Sequence, residues 1–79
     1  LYHMFDYRVE AIEFLVDETS GFTDIPLKDL RLKKDVLISF INRNGKIIIP
    51  TGNDCIMAGD TVMIVTKHSG FTQITDIAQ

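Results

Sequence analysis

The sequence contains little cysteine or histidine and no tryptophan. Its single cysteine, Cys55, excludes an internal disulfide and any zinc site built on cysteines, and two histidines are too few to indicate a metal cluster. A Gly-x-Gly-x-x-Gly phosphate-binding turn is also missing, so NAD is not expected to bind within these residues. Because no nucleophile, acid–base pair or metal triad has diagnostic spacing, we predict a protein without a catalytic site, metal or cofactor of its own.

Long hydrophobic runs and an excess of positive charge are also absent from the sequence. The longest apolar stretches, 47–49 and 62–65, are far shorter than the roughly 20 residues that a membrane helix needs. A net charge of −3 repels phosphate backbones, which disfavours a nucleic-acid partner. The chain opens on Leu1 without an initiator methionine or a leader-like segment, so we interpret it as a fragment of a longer cytosolic protein.

The length and hydrophobic content are sufficient for one small domain. With 79 residues, of which 46% are hydrophobic, the chain can form one folded unit over residues 1–79 but is too short for two. A domain of this size buries only about 60% of the surface that its unfolded chain exposes. Its stability is therefore marginal, and association with another copy would bury additional apolar surface.

Four segments have the apolar pattern of β-strands. They are rich in β-branched or aromatic residues, or alternate between faces, and lie at 8–16, 36–43, 46–50 and 61–67. Asn44 and Gly45 separate the second segment from the third. An Asn-Gly pair between two apolar runs predicts a two-residue hairpin turn with positive φ at both positions.

Two further turns are predicted between the third strand and the last strand. Pro50 ends the third strand where no backbone donor is needed, and Gly52 is expected to permit a positive φ. Gly59 and Asp60 directly precede the last strand. They predict a tight reversal in which the Asp60 carboxylate accepts hydrogen bonds from backbone N–H groups of the turn.

Two segments have the residue spacing of short helices. Pro26 stands where a helix begins, and Leu27 and Leu30 lie three residues apart, which predicts a short helical turn. In the tail, 69–79, apolar residues recur at spacings of three and four and Ser69 can act as an N-cap, which predicts a terminal helix. The order strand, short helix, three strands and helix predicts an α+β fold with a mainly antiparallel or mixed β-sheet.

The strands predicted at 36–43 and 61–67 carry large apolar side chains on both faces. In the second of them, Val62 and Ile64 point to one face whereas Met63 points to the other. Only two short helices are available to cover the sheet. Loops and helices together could cover both faces, but a homodimer that buries one face is the interpretation that we favour.

Half of the basic residues form a cluster within seven positions: Lys28, Arg31, Lys33 and Lys34. A solvated surface turn is the usual explanation of such a cluster. An anion site is the alternative, because neighbouring cations repel one another and a bound phosphate would relieve that repulsion.

An ordered set of motifs runs through most of the chain. It consists of Pro26, Leu27, Leu30 and Leu32, then Val36, Leu37, Ile38, Ile41, Arg43 and Gly45, then Ile49, Pro50, Gly52 and Asp54, then Gly59, Asp60 and Val62. In order and spacing this set resembles the C-terminal regulator-of-K⁺-conductance domain of TrkA proteins. Residues 9–14 further resemble the last such domain of long TrkA proteins that contain two nucleotide-binding halves.

The resemblance implies a function that the residues alone do not. It implies a non-catalytic regulatory and dimerisation domain in the peripheral cytoplasmic subunit of a bacterial potassium uptake system. That subunit would be located at the inner face of the plasma membrane because it binds a membrane potassium channel subunit. NAD or an ATP-type nucleotide is then expected in upstream domains of the parent protein.

The resemblance also implies a candidate effector site. In some relatives the domain binds a cyclic dinucleotide across its dimer interface, at positions that match Arg31, Leu32, Lys33 and Pro50. Together with Lys28, these residues are candidates for binding an anionic nucleotide. The alternatives are the same kind of domain acting as a ligand sensor on another ion or solute transporter, and a free-standing small-molecule sensor.

Overall fold

Five strands form one antiparallel sheet in the computed structural model, which describes residues 2–4 and 9–79. They are β1 (Tyr2–Met4), β2 (Val9–Leu15), β3 (Val36–Arg43), β4 (Lys46–Ile48) and β5 (Thr61–Thr66). Across the sheet the order is β1-β2-β5-β3-β4, so the last strand in sequence lies at the centre. The predicted α+β class with a mainly antiparallel sheet is confirmed. Arg8, where the first predicted strand begins, lies outside the described residues, and β1 has no counterpart among the predicted strands.

The hairpin expected at Asn44 and Gly45 joins β3 to β4. The two φ angles are 54° and 83°, both in the left-handed region that a type I′ turn requires. The side-chain carbonyl of Asn42 accepts a hydrogen bond from the Gly45 N–H at 3.0 Å. A Cβ at Gly45 would meet no atom within 4 Å, so the backbone conformation and not the available space favours glycine here.

In the described residues, two short 3-10 helices lie between β2 and β3, at Glu18–Ser20 and Leu27–Asp29, and a third lies in the tail, at Ile74–Ile77. The second corresponds to the helical turn predicted after Pro26. Within the described part of the chain, no helix has the length and apolar character needed to cross a membrane.

The tail forms one 3-10 turn instead of the terminal helix predicted over 69–79. Gln73 rather than Ser69 is the N-cap. The Asp76 carboxylate accepts hydrogen bonds from the N–H groups of Thr72 and Gln73 at 2.8 and 3.1 Å, and these bonds lower the pKa of Asp76. The apolar spacing that predicted a longer helix is satisfied within this one turn by two buried side chains, Ile74 and Ile77.

The inner face of the sheet carries the hydrophobic core. Alternate residues of the three central strands point into it: Ile12, Phe14, Ile38, Ile41, Val62 and Ile64. Side chains from the connections and the tail close the core: Val16, Phe22, Ile56, Ile74 and Ile77. All the connections that contribute to the core therefore lie on this one side of the sheet.

The outer face of the same sheet carries large apolar side chains beside the polar residues Glu13, Asn42 and Thr61, and several of the apolar ones are exposed. Leu15, Leu37 and Ile47 are 73, 60 and 53% exposed. Between them, Phe40 lies opposite Met63 on the neighbouring strand, and both side chains are half-buried. The expectation that one sheet face lacks cover is met for residues 2–4 and 9–79.

An ion pair between Arg43 and the buried carboxylate of Asp60 fixes the turn that precedes β5. Asp60, only 1% exposed, accepts hydrogen bonds from Arg43 Nε and Nη2 at 2.9 and 2.8 Å and from the Met57 N–H at 2.8 Å. Arg43 Nη2 also donates to the Cys55 carbonyl at 2.9 Å. Burial alone would raise the pKa of Asp60, but the bonds from Arg43 and Met57 outweigh it and lower the pKa. The turn itself is completed by Gly59, at φ 90°.

Candidate ligand site

A cavity of about 250 Å³ opens beside the first half of β3. Three of the candidate ligand residues line it together: Lys28, Leu32 and Pro50. The other residues around it are Leu27, Val36, Leu37, Ile38, Thr51 and Gly52. Its walls are mostly apolar, and Lys28 is the only charged residue among the described residues that line it.

Backbone hydrogen bonds hold two walls of the cavity together. The N–H of Lys28 donates to the Gly52 carbonyl at 3.0 Å, and the N–H of Leu27 donates to the Asp54 carbonyl at 2.9 Å. The prediction that Gly52 has a positive φ is wrong, because its backbone does not adopt that region. Glycine is favoured there by close approach: a Cβ at Gly52 would lie 3.2 Å from Lys28 Cβ.

Residues 31–33 form an extended strip that pairs with the end of the tail. The N–H of Lys33 donates to the Ile77 carbonyl at 2.8 Å, and the N–H of Gln79 donates to the Arg31 carbonyl at 2.9 Å. Because side chains alternate along an extended backbone, Leu32 points into the cavity while its two neighbours point away. The structure therefore separates Arg31 and Lys33 from the cavity that Lys28, Leu32 and Pro50 share.

Lys33 instead contacts an aromatic side chain of the tail. Its Nζ lies 5.2 Å from the centroid of the Phe71 ring, within the range of a cation–π interaction. The His68 ring stacks on Phe71, with centroids 5.5 Å apart and an interplanar angle of 15°. His68 Nε2 lies 2.7 Å from the Lys34 carbonyl oxygen, to which it donates a hydrogen bond. These contacts, together with the pairing of 31–33 and 77–79, hold the tail against residues 31–34.

The electrostatics of the cavity depend on Lys28 in its wall and on the charged segment to which Lys28 belongs. Residues 28–35 contain four cations and two carboxylates, in a chain whose net charge is −3. Arg31 and Lys34 are exposed to solvent, as is Lys28 at the cavity. An apolar cavity with a cationic edge can bind a ligand that combines an apolar or planar group with a phosphate or carboxylate.

Sequence reasoning missed most of the apolar lining of this cavity. Leu27, Val36 and Leu37 were assigned to a helical turn and a strand, and only the tertiary arrangement brings them beside Pro50. Phe71 was assigned to a helix face, so its contact with Lys33 was not expected. No local signal identifies such pairs, because their members are distant in the chain.

Two further cavities among the described residues contain no candidate ligand residue. One, of about 290 Å³, is lined largely by hydroxyl and amide side chains, including Thr19, Thr72 and Gln73. Beside it, the Asp17 carboxylate accepts hydrogen bonds from the Thr19 hydroxyl and N–H at 2.7 and 2.9 Å, which lower the pKa of Asp17. Among the residues that the structure describes, no group of three His, Cys, Asp or Glu side chains could hold a metal ion.

Known proteins share this sequence pattern and fold. The family model of the TrkA-C domain matches residues 11–79. The chain is 45% identical over 60 residues to a Trk system potassium uptake protein TrkA homolog of Archaeoglobus fulgidus, which covers 76% of this chain and 14% of that protein. It is 31% identical over 71 residues to a TrkA homolog of Pyrococcus horikoshii, which covers 89% of this chain and 31% of that protein.

A solved structure described as an RCK domain with cda has the same fold. Its TM-score against this chain is 0.62 at 25% sequence identity, and the match covers 75% of this chain and 81% of that one. The chain spans between 14% and 31% of the length of the two curated relatives. With a family match over nearly all of its length, this chain belongs to the TrkA-C domain family.

Proposed function

We propose that this chain is a non-catalytic regulatory and dimerisation domain of a potassium uptake protein. The parent protein is then a peripheral cytoplasmic subunit that acts on a membrane potassium channel subunit and binds NAD or an ATP-type nucleotide in other domains. Family membership supports this proposal, as do relatives named Trk system potassium uptake protein TrkA homologs, of which the chain matches only a part.

The observation that carries the dimerisation proposal is the uncovered outer face of the sheet. Leu15, Leu37 and Ile47 expose more than half of their surface on a domain of only 79 residues. A small domain gains little from its own core, and contiguous exposed apolar surface is typical of an interface. Two copies related by a two-fold axis would bury this face against itself.

Regulation then follows from the geometry of the dimer. A ligand that binds one dimer arrangement better than another shifts the population toward that arrangement. The shift is transmitted to the channel through the parent protein as a rigid-body movement of the paired domains. No chemical step within this domain is required.

Light scattering on the purified domain tests the dimer. Wild type at micromolar concentration should have about twice the 8.9 kDa chain mass. Leu37→Glu places a charge on the outer face and should give the monomer mass. Met57→Glu is the matched control, because Met57 is an exposed apolar residue in the turn before β5 and should leave the dimer intact. A monomeric wild type, or a dimer that survives Leu37→Glu, contradicts the proposal.

The cavity beside β3 supports a second candidate function, the binding of an anionic nucleotide effector. Lys28, Leu32 and Pro50 line it together, so a base can contact the apolar side chains while Lys28 meets a phosphate. Arg31 and Lys33 contribute positive charge from outside the cavity. The structural neighbour described as an RCK domain with cda supports looking for a ligand here. The same site would serve if the parent were another ion or solute transporter.

Titration calorimetry with a cyclic dinucleotide tests this site. Losing one charge-assisted contact costs about 1.5–3 kcal/mol, so Lys28→Ala should weaken binding about tenfold or more. Arg31→Ala and Lys33→Ala should have smaller effects, since these side chains lie outside the cavity. Lys46→Ala, an exposed lysine beside the hairpin turn, is the control. Affinity that is unchanged by Lys28→Ala would exclude the cavity as the site.

A further inference from the structure

The outer face of the sheet contains a charged side chain among its apolar ones. Because side chains alternate along a strand, Glu13 of β2 points to this face, and it lies opposite Met63 of β5. Among the described outer positions of β2, β3, β4 and β5 it is the only charged residue, and it is exposed. An unpaired carboxylate is costly to bury. A molecule that covers this face therefore has to place a cation against Glu13.

A cation of the same chain lies at one end of the outer face. Lys67 directly follows β5, and alternation from Val65 places it on the outer side, where it is exposed. Continuing the pairing of β2 with β5 puts Lys67 level with Val9. Glu13 is four residues further along β2, about 14 Å away, so the two charges cannot pair within one protomer. Neither of them forms an ion pair with another described residue.

Two directions are open to a two-fold axis through the centre of the outer face, because packed sheets keep their strands nearly aligned. The centre lies at Ile12, the middle residue of β2. An axis parallel to the strands exchanges β2 with β3 and would bury Glu13 against the partner's Phe40, without a cation. An axis across the strands reverses β2 and places Glu13 over the partner's Ala11 instead.

The axis across the strands brings Glu13 to a lysine of the other copy. Ala11 pairs with Val65, so Lys67, two residues after Val65, is the diagonal neighbour of Ala11. Diagonal neighbours lie about 7–8 Å apart, which a long side chain can span. A carboxylate over the partner's Ala11 is therefore within reach of the partner's Lys67, and the symmetry repeats this contact on the other copy.

The same axis also covers Leu15, which is 73% exposed. Leu15 and Val9 are equally far from Ile12 along β2, so Leu15 comes to lie over the partner's Val9. Val9 lines a cavity of about 240 Å³ with mostly apolar walls, which can receive a leucine side chain. Asp35, the carboxylate among the described residues that line this cavity, comes to lie near the partner's Asn42 and stays apart from the carboxylate on β2.

We propose that two copies of this chain pair through their outer faces about a two-fold axis across the strands, so that Glu13 of each copy binds Lys67 of the other. This pairing rests on the dimerisation proposed above and adds the register and the residues that select a second copy as the partner. Charge complementarity selects it, because the described outer face carries a carboxylate in its middle and a cation at its end. Of the two axes, only the one across the strands brings these charges together.

Charge reversal tests the pairing, with the dimer dissociation constant measured by sedimentation equilibrium. Glu13→Lys sets two lysines against each other at both contacts, and Lys67→Glu sets two carboxylates against each other. Each reversal should raise the dissociation constant at least tenfold. Glu18→Lys and Lys46→Glu are the matched controls, since both residues are exposed and lie outside the outer face, and they should leave the constant unchanged.

Mixing the two reversed variants is the sharper test. In a mixed dimer of Glu13→Lys with Lys67→Glu, both contacts again join a lysine to a carboxylate. An equimolar mixture should therefore form the mixed dimer in preference to either homodimer, which native mass spectrometry resolves. A chain that carries both reversals should dimerise like wild type. Damage to the fold of either variant would not be repaired by mixing.

The outcomes separate this pairing from the dimerisation on which it rests. A monomeric wild type would contradict both. A wild-type dimer that neither reversal weakens, or weakened variants that do not combine on mixing, would overturn the pairing alone. All the substituted positions are exposed, so the urea midpoints should match that of wild type. If a reversed variant does not fold, Glu13→Gln and Lys67→Gln remove the charges without repulsion, and each should weaken the dimer less than its reversal does.

Discussion

The two faces of the sheet are built from the same strands and have opposite exposure. On β5, Val62 and Ile64 are 0% exposed on the inner face, whereas Val65 remains half-buried on the outer face. On β3, Ile41 is 0% exposed and Leu37 is 60% exposed. Both faces carry large apolar side chains, so the presence of such residues alone does not separate the face that stabilises the fold from the face left for another molecule. The inner face becomes the core because the connections and the tail all pack on that side of the sheet.

Substitutions at neighbouring positions of β5 should give the largest difference between the two faces. Ile64→Ala removes a fully buried side chain and should lower the free energy of unfolding by about 2–5 kcal/mol. Val65→Ala, one position further and on the outer face, should cost less than about 1 kcal/mol. Urea unfolding followed by circular dichroism, at concentrations where the domain is monomeric, measures both. Equal losses would mean that the outer face also contributes to the fold of the monomer.

The ion pair between Arg43 and Asp60 should give the next largest effect. Asp60→Asn removes the charge from a buried, multiply bonded group and should cost about 1–3 kcal/mol at neutral pH. Because the pKa of Asp60 is lowered in the folded state, its stabilisation is complete above its ordinary value of 3.8 and is lost as pH falls below that value.

The pH dependence provides the control for this prediction. Asp17 and Asp76 also have lowered pKa values, so wild type and Asp60→Asn should both lose stability in acid. The difference between their free energies of unfolding isolates Asp60, and it should shrink as pH falls below about 4. A difference that is constant from pH 7 to pH 3 would contradict the assignment.

A substitution in the hairpin turn changes the free energy of unfolding through backbone conformation alone, without involving either face of the sheet. Gly45→Val should lower the free energy of unfolding by roughly 1 kcal/mol or more, because a β-branched residue is strained at positive φ. Nothing surrounds a side chain at this position, so no packing change contributes. Lys46→Val, the next residue and already in a strand, is the control. An unchanged urea midpoint for Gly45→Val would contradict the type I′ geometry.

The smallest effect on the monomer is expected at Leu37. Leu37→Thr replaces an exposed side chain and should change the free energy of unfolding of the monomer by no more than about 0.5 kcal/mol. If the outer face is an interface, the same change should raise the dimer dissociation constant, measured by sedimentation equilibrium. A large loss of monomer stability without a change in association would reverse the roles assigned to the two faces.

Local patterns predicted four of the five strands in the described residues, but they missed β1 and placed the end of the third strand at Pro50 instead of at Ile48. The limits of β3 were predicted to the residue, and Asn44-Gly45 identified the hairpin, because β-branched runs and positive-φ turns depend on adjacent residues. The uncovered sheet face also followed from apolar residues on both sides of two strands. The tail was predicted less well: a spacing of three fits both a 3-10 turn and an α-helix, and hydrogen bonds to Asp76 decided between them.

The candidate site was predictable only in part. The resemblance to a known domain named Leu32 and Pro50, and the cluster of basic residues added Lys28. These three residues share a cavity, and their role in binding stays a prediction. The resemblance could not anticipate that Lys33 contacts Phe71, because the pairing of 31–33 with 77–79 has no local signal. The role of Gly52 was not predictable for the same reason, because glycine is favoured there by the proximity of Lys28 and not by its own backbone conformation.

The central position of β5 has a consequence for how the chain folds. The β3–β4 hairpin closes over two residues and can form in about 1–10 μs. By contrast, β2 has to wait for β5, since Glu10 lies opposite Thr66. Such non-local pairing predicts folding on a timescale of roughly milliseconds to seconds. On the ribosome, β2 is synthesised long before β5. The edge of β2 that pairs with β5 therefore stays unpaired, and its apolar side chains stay exposed, until translation reaches β5. Aggregation is most favoured during that interval.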